Sequence, residues 1–129
     1  MNKMHLEIVT PEGLIFSNDV KMVVLPGKDG EFGVLPGHAS LVSLLKVGLV
    51  DIENLNGEHD LVAIDWGYAE IDENKVDILV EGAVLVKGND ESEIAKSMAK
   101  AKEIVQKMGD EGGLLNIALM RIENSTRNI

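Results

Sequence analysis

Leu25–Leu41 reads LPGKDGEFGVLPGHASL, and its punctuation decides what kind of fold the chain can make. Pro26-Gly27, Asp29-Gly30 and Pro36-Gly37 follow one another closely, leaving only Glu31–Leu35 between them. Proline presets one backbone angle and removes a donor, while glycine accepts the left-handed conformations of tight turns. Pairs of this kind are hairpin and turn chemistry rather than helix caps. A run of five residues so bounded has the length of one strand and is too short for a helix.

The same grammar extends in both directions. Met4, Leu6 and Ile8 alternate with His5, Glu7 and Val9, which places the apolar members on one face of an extended strand, and Thr10-Pro11-Glu12-Gly13 then turns the chain. Further strand runs are Val20–Leu25, Glu31–Leu35, Ser40–Leu45, Leu49–Glu53, Asp60–Trp66, Tyr68–Ile71 and Lys75–Val86. Asn56-Gly57 and Asp72-Glu73-Asn74 separate the later ones. Gly82 interrupts the last run, at a position suited to a bulge or to a strand that changes partners. Many short strands with no intervening helix signal predict a sandwich or flattened barrel over residues 1–87.

Beyond Gly88-Asn89 the period changes. Ile94, Met98, Ala101, Val105 and Met108 recur at steps of four and three, one stripe of an amphipathic helix, with Lys96, Lys100 and Lys107 lying away from it. Asp90 and Glu93 have the spacing of an N-terminal cap. The stretch Gly109-Asp110-Glu111-Gly112-Gly113 ends this helix, and Leu115, Ala118, Leu119 and Ile122 form a second stripe over roughly Leu114–Asn124. Residues 88–129 therefore read as an antiparallel two-helix hairpin. Short helices are marginal alone in water, so they must pack on the strand domain or on a partner, which makes the hairpin a candidate moving part.

Composition narrows the functional classes. At 129 residues there is room for one domain with an appendage. Of its residues 45% are apolar, but one Trp, one Tyr and two Phe leave the core to aliphatic packing. The net charge of −10 would repel nucleic acid and anionic lipid. It is concentrated in residues 1–89, which carry 6 basic and 15 acidic side chains against 6 and 7 in the remainder. The absence of cysteine fits a reducing compartment. Neither a secretory signal nor a membrane-spanning run is expected, since His5 and Glu7 break the first apolar stretch and Lys46 breaks Leu41–Val50.

Residues suited to catalysis do not assemble into a set. His5, His38 and His59 lie far apart and lack zinc-ligand spacing, so no metal and no cofactor are expected. Gly27-Lys28 is followed by Asp29 where a phosphate loop needs Ser or Thr for magnesium. Gly27, Gly30 and Gly33 look like a dinucleotide fingerprint only superficially, because that motif must open a helix. His59, Asp60 and Asp65 suggest a base and its orienter without an identifiable nucleophile. Asp51/Glu53 and Asp72/Glu73 are read as solvating charges. No intrinsic enzymatic activity is expected; the competing classes are a small hydrolase using Asp65 or His59 and a free-standing β-sandwich ligand-binding module.

The Leu25–Leu41 segment resembles the hallmark PG-x-x-G-x-FG-x-x-PGHA pattern of epsilon subunits of F-type ATP synthases, called delta in mitochondria. The opening LEIVTPEGLIFS is similar to that family's first hairpin, and the resemblance covers nearly the whole chain. It implies a sandwich of about ten strands followed by a two-helix hairpin. It also implies a non-catalytic central-stalk subunit coupling the c-ring to the gamma subunit during ATP synthesis, peripheral at the cytoplasmic face of the inner membrane. By the same resemblance Asp29, Gly30, Glu31, Phe32 and Gly33 form the c-ring edge, with Glu31 and Phe32 projecting from the sandwich. Gly37, His38, Ala39, Ser40 and Leu41 would then lie at the gamma and c-ring junction, where His38 either bonds across the joint or caps a turn.

In many bacterial relatives the hairpin extends along gamma into the alpha/beta head and blocks ATP hydrolysis. Glu91, Ile94, Met98 and Arg121 are the corresponding regulatory candidates, Arg121 being the main group available to acids of the catalytic subunits. ATP-binding relatives carry Ile-Asp-x-x-Arg-Ala, whereas Asp90-Glu91-Ser92-Glu93-Ile94-Ala95 lacks the arginine, which speaks against ATP binding. With so short a second helix, inhibition is expected to be weak.

Overall fold

The computed structural model describes residues 2–109 and 112–125; Asp110 and Glu111, expected at the centre of the glycine-rich break, and residues 126–129 fall outside that description. The strands are β1 (Met4–Thr10), β2 (Gly13–Gly27), β3 (Gly30–Val34), β4 (Leu41–Leu45), β5 (Gly48–Asn54), β6 (His59–Ile64), β7 (Gly67–Ile71), β8 (Lys75–Val80) and β9 (Ala83–Leu85). Two helices follow, α1 (Glu91–Val105), extended by a 3-10 turn at Gln106–Met108, and α2 (Leu114–Asn124). Strands first and a helical pair last is the order that the change of period predicts.

Strand pairing runs β1-β8-β7-β4-β2-β5-β6-β9, with β3 on β2 and a second pairing of β1 with β2. β2 makes this a two-layered sandwich. Its first half pairs with β1 (Met4↔Val20 to Thr10↔Gly13) and its second half with β3 and β5. The expected strand Val20–Leu25 is thus only the inner part of a longer one. The partner change expected at Gly82 occurs: β8 pairs with β1 and β7, whereas β9 crosses to β6.

Between the layers lies an aliphatic core built on Leu6, Ile8, Val20, Val23, Leu25, Ile52, Ile64, Ile71 and Ile78, all at most 2% exposed, with Phe16 and Phe32 packed at its margin. Each buried side chain of this size contributes about 1.5–3 kcal/mol relative to exposure. Where β7 begins, the backbones approach closely: a Cβ on Gly67 would stand 2.1 Å from the Leu79 carbonyl oxygen and 2.7 Å from Val80 Cα.

A second apolar cluster sits outside the sandwich. Leu49, Leu61, Ala63 and Val86 point away from the main core and are covered by Ala101 and Val105 of α1 and Ala118 and Ile122 of α2. The helices run antiparallel and are tied by an ion pair of Lys102 with Glu123 at 2.6 Å. At the start of α1 the Asp90 side chain accepts the Glu93 backbone N–H at 2.8 Å, and the Glu93 carboxylate accepts from Asn89 N–H. Gly88 is required there, since a Cβ would meet Ile94 N at 2.6 Å.

Candidate functional site

The β2–β3 connection is a two-residue turn, Lys28-Asp29, flanked by the pair Gly27↔Gly30. Gly30 has φ +137, open to glycine alone among residues at ease, and a Cβ on Gly27 would lie 2.8 Å from the Phe32 ring. Alternation along β3 then separates the two side chains expected to project together. Glu31 is exposed, whereas Phe32, paired with buried Leu25, turns back onto the main core. The projecting acid and aromatic pair is therefore reduced to the acid, because neighbouring residues on a strand face opposite sides.

Next along the chain, Leu35–Ser40 folds over the β7–β8 turn. The Gly37 N–H donates to the Glu73 carbonyl at 2.7 Å, and the Ser40 hydroxyl donates to Asp72 Oδ1 at 2.7 Å. His38 closes a turn on the Leu35 carbonyl, and its Nδ1 donates to the Ala39 carbonyl at 2.7 Å. Its ring is half-buried and serves the loop itself. Leu41 starts β4 opposite Ile71 and is 44% exposed.

Register along the outer face of the first layer exposes an arrangement not anticipated from the sequence. Leu44 pairs with Tyr68, Tyr68 with Leu79, Leu79 with Val9, and Val9 with Leu14. Directly paired residues share a face, so these five form one apolar row across β4, β7, β8, β1 and β2. Leu44 and Leu14 are each 59% exposed, and Trp66, 61% exposed, joins Tyr68, Leu79 and Val9 around a shallow depression of about 340 Å³. The next row holds Val42, Glu70, Asp77, Glu7 and Ser17. An apolar band beside an acidic one covers the face opposite the hairpin.

That face ends in a titratable cluster. His5 Nδ1 donates to Asp19 at 2.9 Å and Nε2 to Glu7 at 3.1 Å, with Lys3 also on Asp19. The Asp19 hydrogen bond first, then that of Glu7, pushes the His5 pKa above 6.5, while Asp19 is held below its usual value. A histidine whose pKa is raised on folding stabilises the fold fully below its unfolded value, and loses that contribution as pH rises through the folded value. An NMR titration of the ring is expected to give a midpoint above 6.5; a midpoint at or below it would contradict the double hydrogen bond.

On the opposite face the hairpin is held by ion pairs. Arg121 of α2 donates to Glu31 Oε2 at 3.2 Å and to Asp51 Oδ2 at 3.3 Å. Glu31 pairs with Pro26 and Asp51 with Val24, so the two carboxylates flank β2 from either side and the guanidinium spans it. Lys107 reaches Asp65 at 2.6 Å. Burial alone would raise the Asp65 pKa, but the Lys107 ammonium and the Trp66 backbone N–H outweigh it and hold the carboxyl low. Asp51, expected to be a solvating charge, and Asp65, considered as a catalytic group, thus both anchor the hairpin. Among the other regulatory candidates, Glu91 is exposed in the first turn of α1, and Ile94 and Met98 are half-buried, Met98 against the second cluster.

His59 donates Nδ1 to Asp51 at 2.8 Å, Asp60 accepts from Asn54, and Asp65 takes Lys107, so the three imagined catalytic groups go to separate partners. Among the described residues no group of three or more His, Cys, Asp or Glu is placed to hold a metal, and no helix is long and apolar enough to cross a membrane.

Residues 3–86 match the family model of the ATP synthase delta/epsilon chain β-sandwich domain. The chain belongs to the ATP synthase delta/epsilon family. Among curated relatives of the delta/epsilon family, the ATP synthase epsilon chain of Campylobacter fetus is 72% identical over 127 residues, 98% of each chain. That of Helicobacter hepaticus is 46% identical, over 99% of this chain and 98% of its own. Both are named as the ATP synthase epsilon chain. A chain of the Euglena gracilis mitochondrial ATP synthase, solved with its F1 and c-ring, superposes with a TM-score of 0.64 at 24% identity, covering 97% of this chain and 76% of that one. This likeness concerns the fold. The delta/epsilon match takes in all nine strands and stops before α1.

Proposed function

We propose that the chain is a rotor component that couples the c-ring to the gamma subunit of an F-type ATP synthase, peripheral at the cytoplasmic face of the inner membrane. Residues 1–87 do the coupling and residues 88–129 form a regulatory appendage. The observation that carries this is the apolar row Leu44–Tyr68–Leu79–Val9–Leu14, which a solitary sandwich would be expected to make polar. With an aromatic near its centre and polar residues beside it, the row has the composition of a docking face, and gamma is the partner assigned to it. The edge made by Asp29–Gly33 is assigned to the c-ring, and Gly37–Leu41 to the junction of gamma with the c-ring. Torque passing between the two bodies calls for a stiff, closed sheet rather than a pocket.

The test is capture of recombinant gamma by the purified chain. Leu44→Asp combined with Tyr68→Asp is expected to weaken capture about tenfold or more, since it places charges in a desolvated contact while leaving the inner core untouched. Removal of the residues beyond Asn89 is expected to leave capture unchanged. Undiminished capture by the double variant would sink the assignment of this face. Addition of the full and truncated chains to an alpha-beta-gamma head measures the hairpin's effect on ATP hydrolysis, with a small difference expected.

A further inference from the structure

Glu31 belongs at once to the edge assigned to the c-ring and to the seat of the hairpin. We propose that these two uses compete: a cationic group of a partner loop that engages Glu31 displaces Arg121, so docking of the rotor edge loosens α2 from the sandwich. The proposal rests on the c-ring assignment above and adds regulation to it.

Three observations support it. First, the helices are held differently. α1 lies against β5, β6 and β9, whereas α2 packs chiefly on α1 and the 3-10 turn. Second, a cleft of about 430 Å³ opens between α2 and the sandwich, bounded by Pro26, Gly30, Leu49, Ile117 and Ala118, with Glu31 and Arg121 at its border. Packed side chains therefore do little to hold α2 to β3, and the guanidinium bonds span the gap. Third, the carboxylate is accessible: the Glu31 side chain is 54% exposed, so an incoming cation can reach it without prior opening.

The exchange is graded. Asp51 keeps its hold on Arg121 after Glu31 is taken, although it also accepts from His59. Exposed ion pairs of this kind shift equilibria by about two- to fivefold. The second tether, Lys107 to Asp65, involves no residue of the c-ring edge, so α1 stays seated while α2 loosens. By linkage, whatever the partner gains by displacing Arg121 the hairpin loses, and the converse holds equally.

The experiment titrates purified c-ring in detergent against gamma alone and against gamma assembled with the full chain, as wild type and as Arg121→Gln. The variant is expected to bind the c-ring about two- to fivefold more tightly, because Glu31 is released in advance. In the same assembly, amide exchange across Ile117–Ile122 is expected to rise at saturating c-ring, while that across Ala101–Val105 stays constant and reports an intact α1. Glu31→Gln without c-ring is expected to reproduce the rise. Equal affinities of wild type and Arg121→Gln, or α2 exchange indifferent to the c-ring, would overturn the proposal and leave the coupling role standing. If the chain adds nothing to the hold of gamma on the c-ring, the coupling role fails and the competition with it.

Discussion

Replacing Gly67 by alanine is expected to lower folding stability by about 3 kcal/mol or more, the upper range for overpacking a closed site. The added Cβ would stand 2.1 Å from the Leu79 carbonyl oxygen and 2.7 Å from Val80 Cα. Both obstacles are backbone of β8, whose hydrogen bonds run to β7 on one side and β1 on the other, so neither retreats without opening a ladder. With a slope of about 2 kcal/mol per molar urea, the midpoint drops by about 1.5 M. A control separates this from any general cost of losing glycine. In Gly82→Ala the Cβ meets only Asp65 Cβ, at 3.8 Å, and restriction of the unfolded chain should leave stability unchanged or slightly higher. A Gly67→Ala midpoint close to wild type would refute the close approach.

Val105→Asp is expected to detach the hairpin and leave the sandwich folded. Val105 is fully buried in the outer cluster, and a carboxylate losing its hydration there costs several kcal/mol. The hairpin cannot absorb that loss. Burial of Val105 and Ile122 contributes about 1.5–3 kcal/mol each, against roughly 1–2 kcal/mol of backbone entropy for every residue ordered in the two helices. Without docking the helices are too short to persist. The expected result is loss of the helical circular-dichroism signal, with strand signal and the exchange protection of β7 and β8 retained. Simultaneous loss of both signals would mean that hairpin and sandwich form one cooperative unit.

Period-two alternation made most of the sandwich legible: Met4, Leu6 and Ile8 mark β1 on the sequence as clearly as in the structure. The first half of β2 was legible only through the resemblance of LEIVTPEGLIFS to a hairpin and not from its period, because Ser17-Asn18-Asp19 are poor strand formers placed by pairing with β1 rather than by their own propensity. The stripes of α1 and α2 predicted both helices. Their seat left a fainter trace. Leu61-Val62-Ala63-Ile64 is an unbroken apolar run, the mark of a strand covered on both faces, yet such a run does not say what covers the second face. The ion pairs were beyond reach, since Arg121 and Asp51 are joined only once the strands and helices have been arranged. The apolar row likewise exists in register and nowhere in sequence order: Leu44, Tyr68, Leu79, Val9 and Leu14 come from five strands.

The parallel ladder between β1 and β8 also has a consequence for synthesis. His5 cannot meet Lys75 until β8 has emerged from the ribosome, so the first strand made is among the last to be fully paired. At about 5–20 residues per second, the intervening chain takes roughly 4–14 s to produce. Throughout that interval the edge of β1 that β8 will cover is open to any strand of a neighbouring nascent chain. The polar character of His5 and Glu7 on that strand gives the waiting edge a charged side, which discourages mispairing before the sandwich can close.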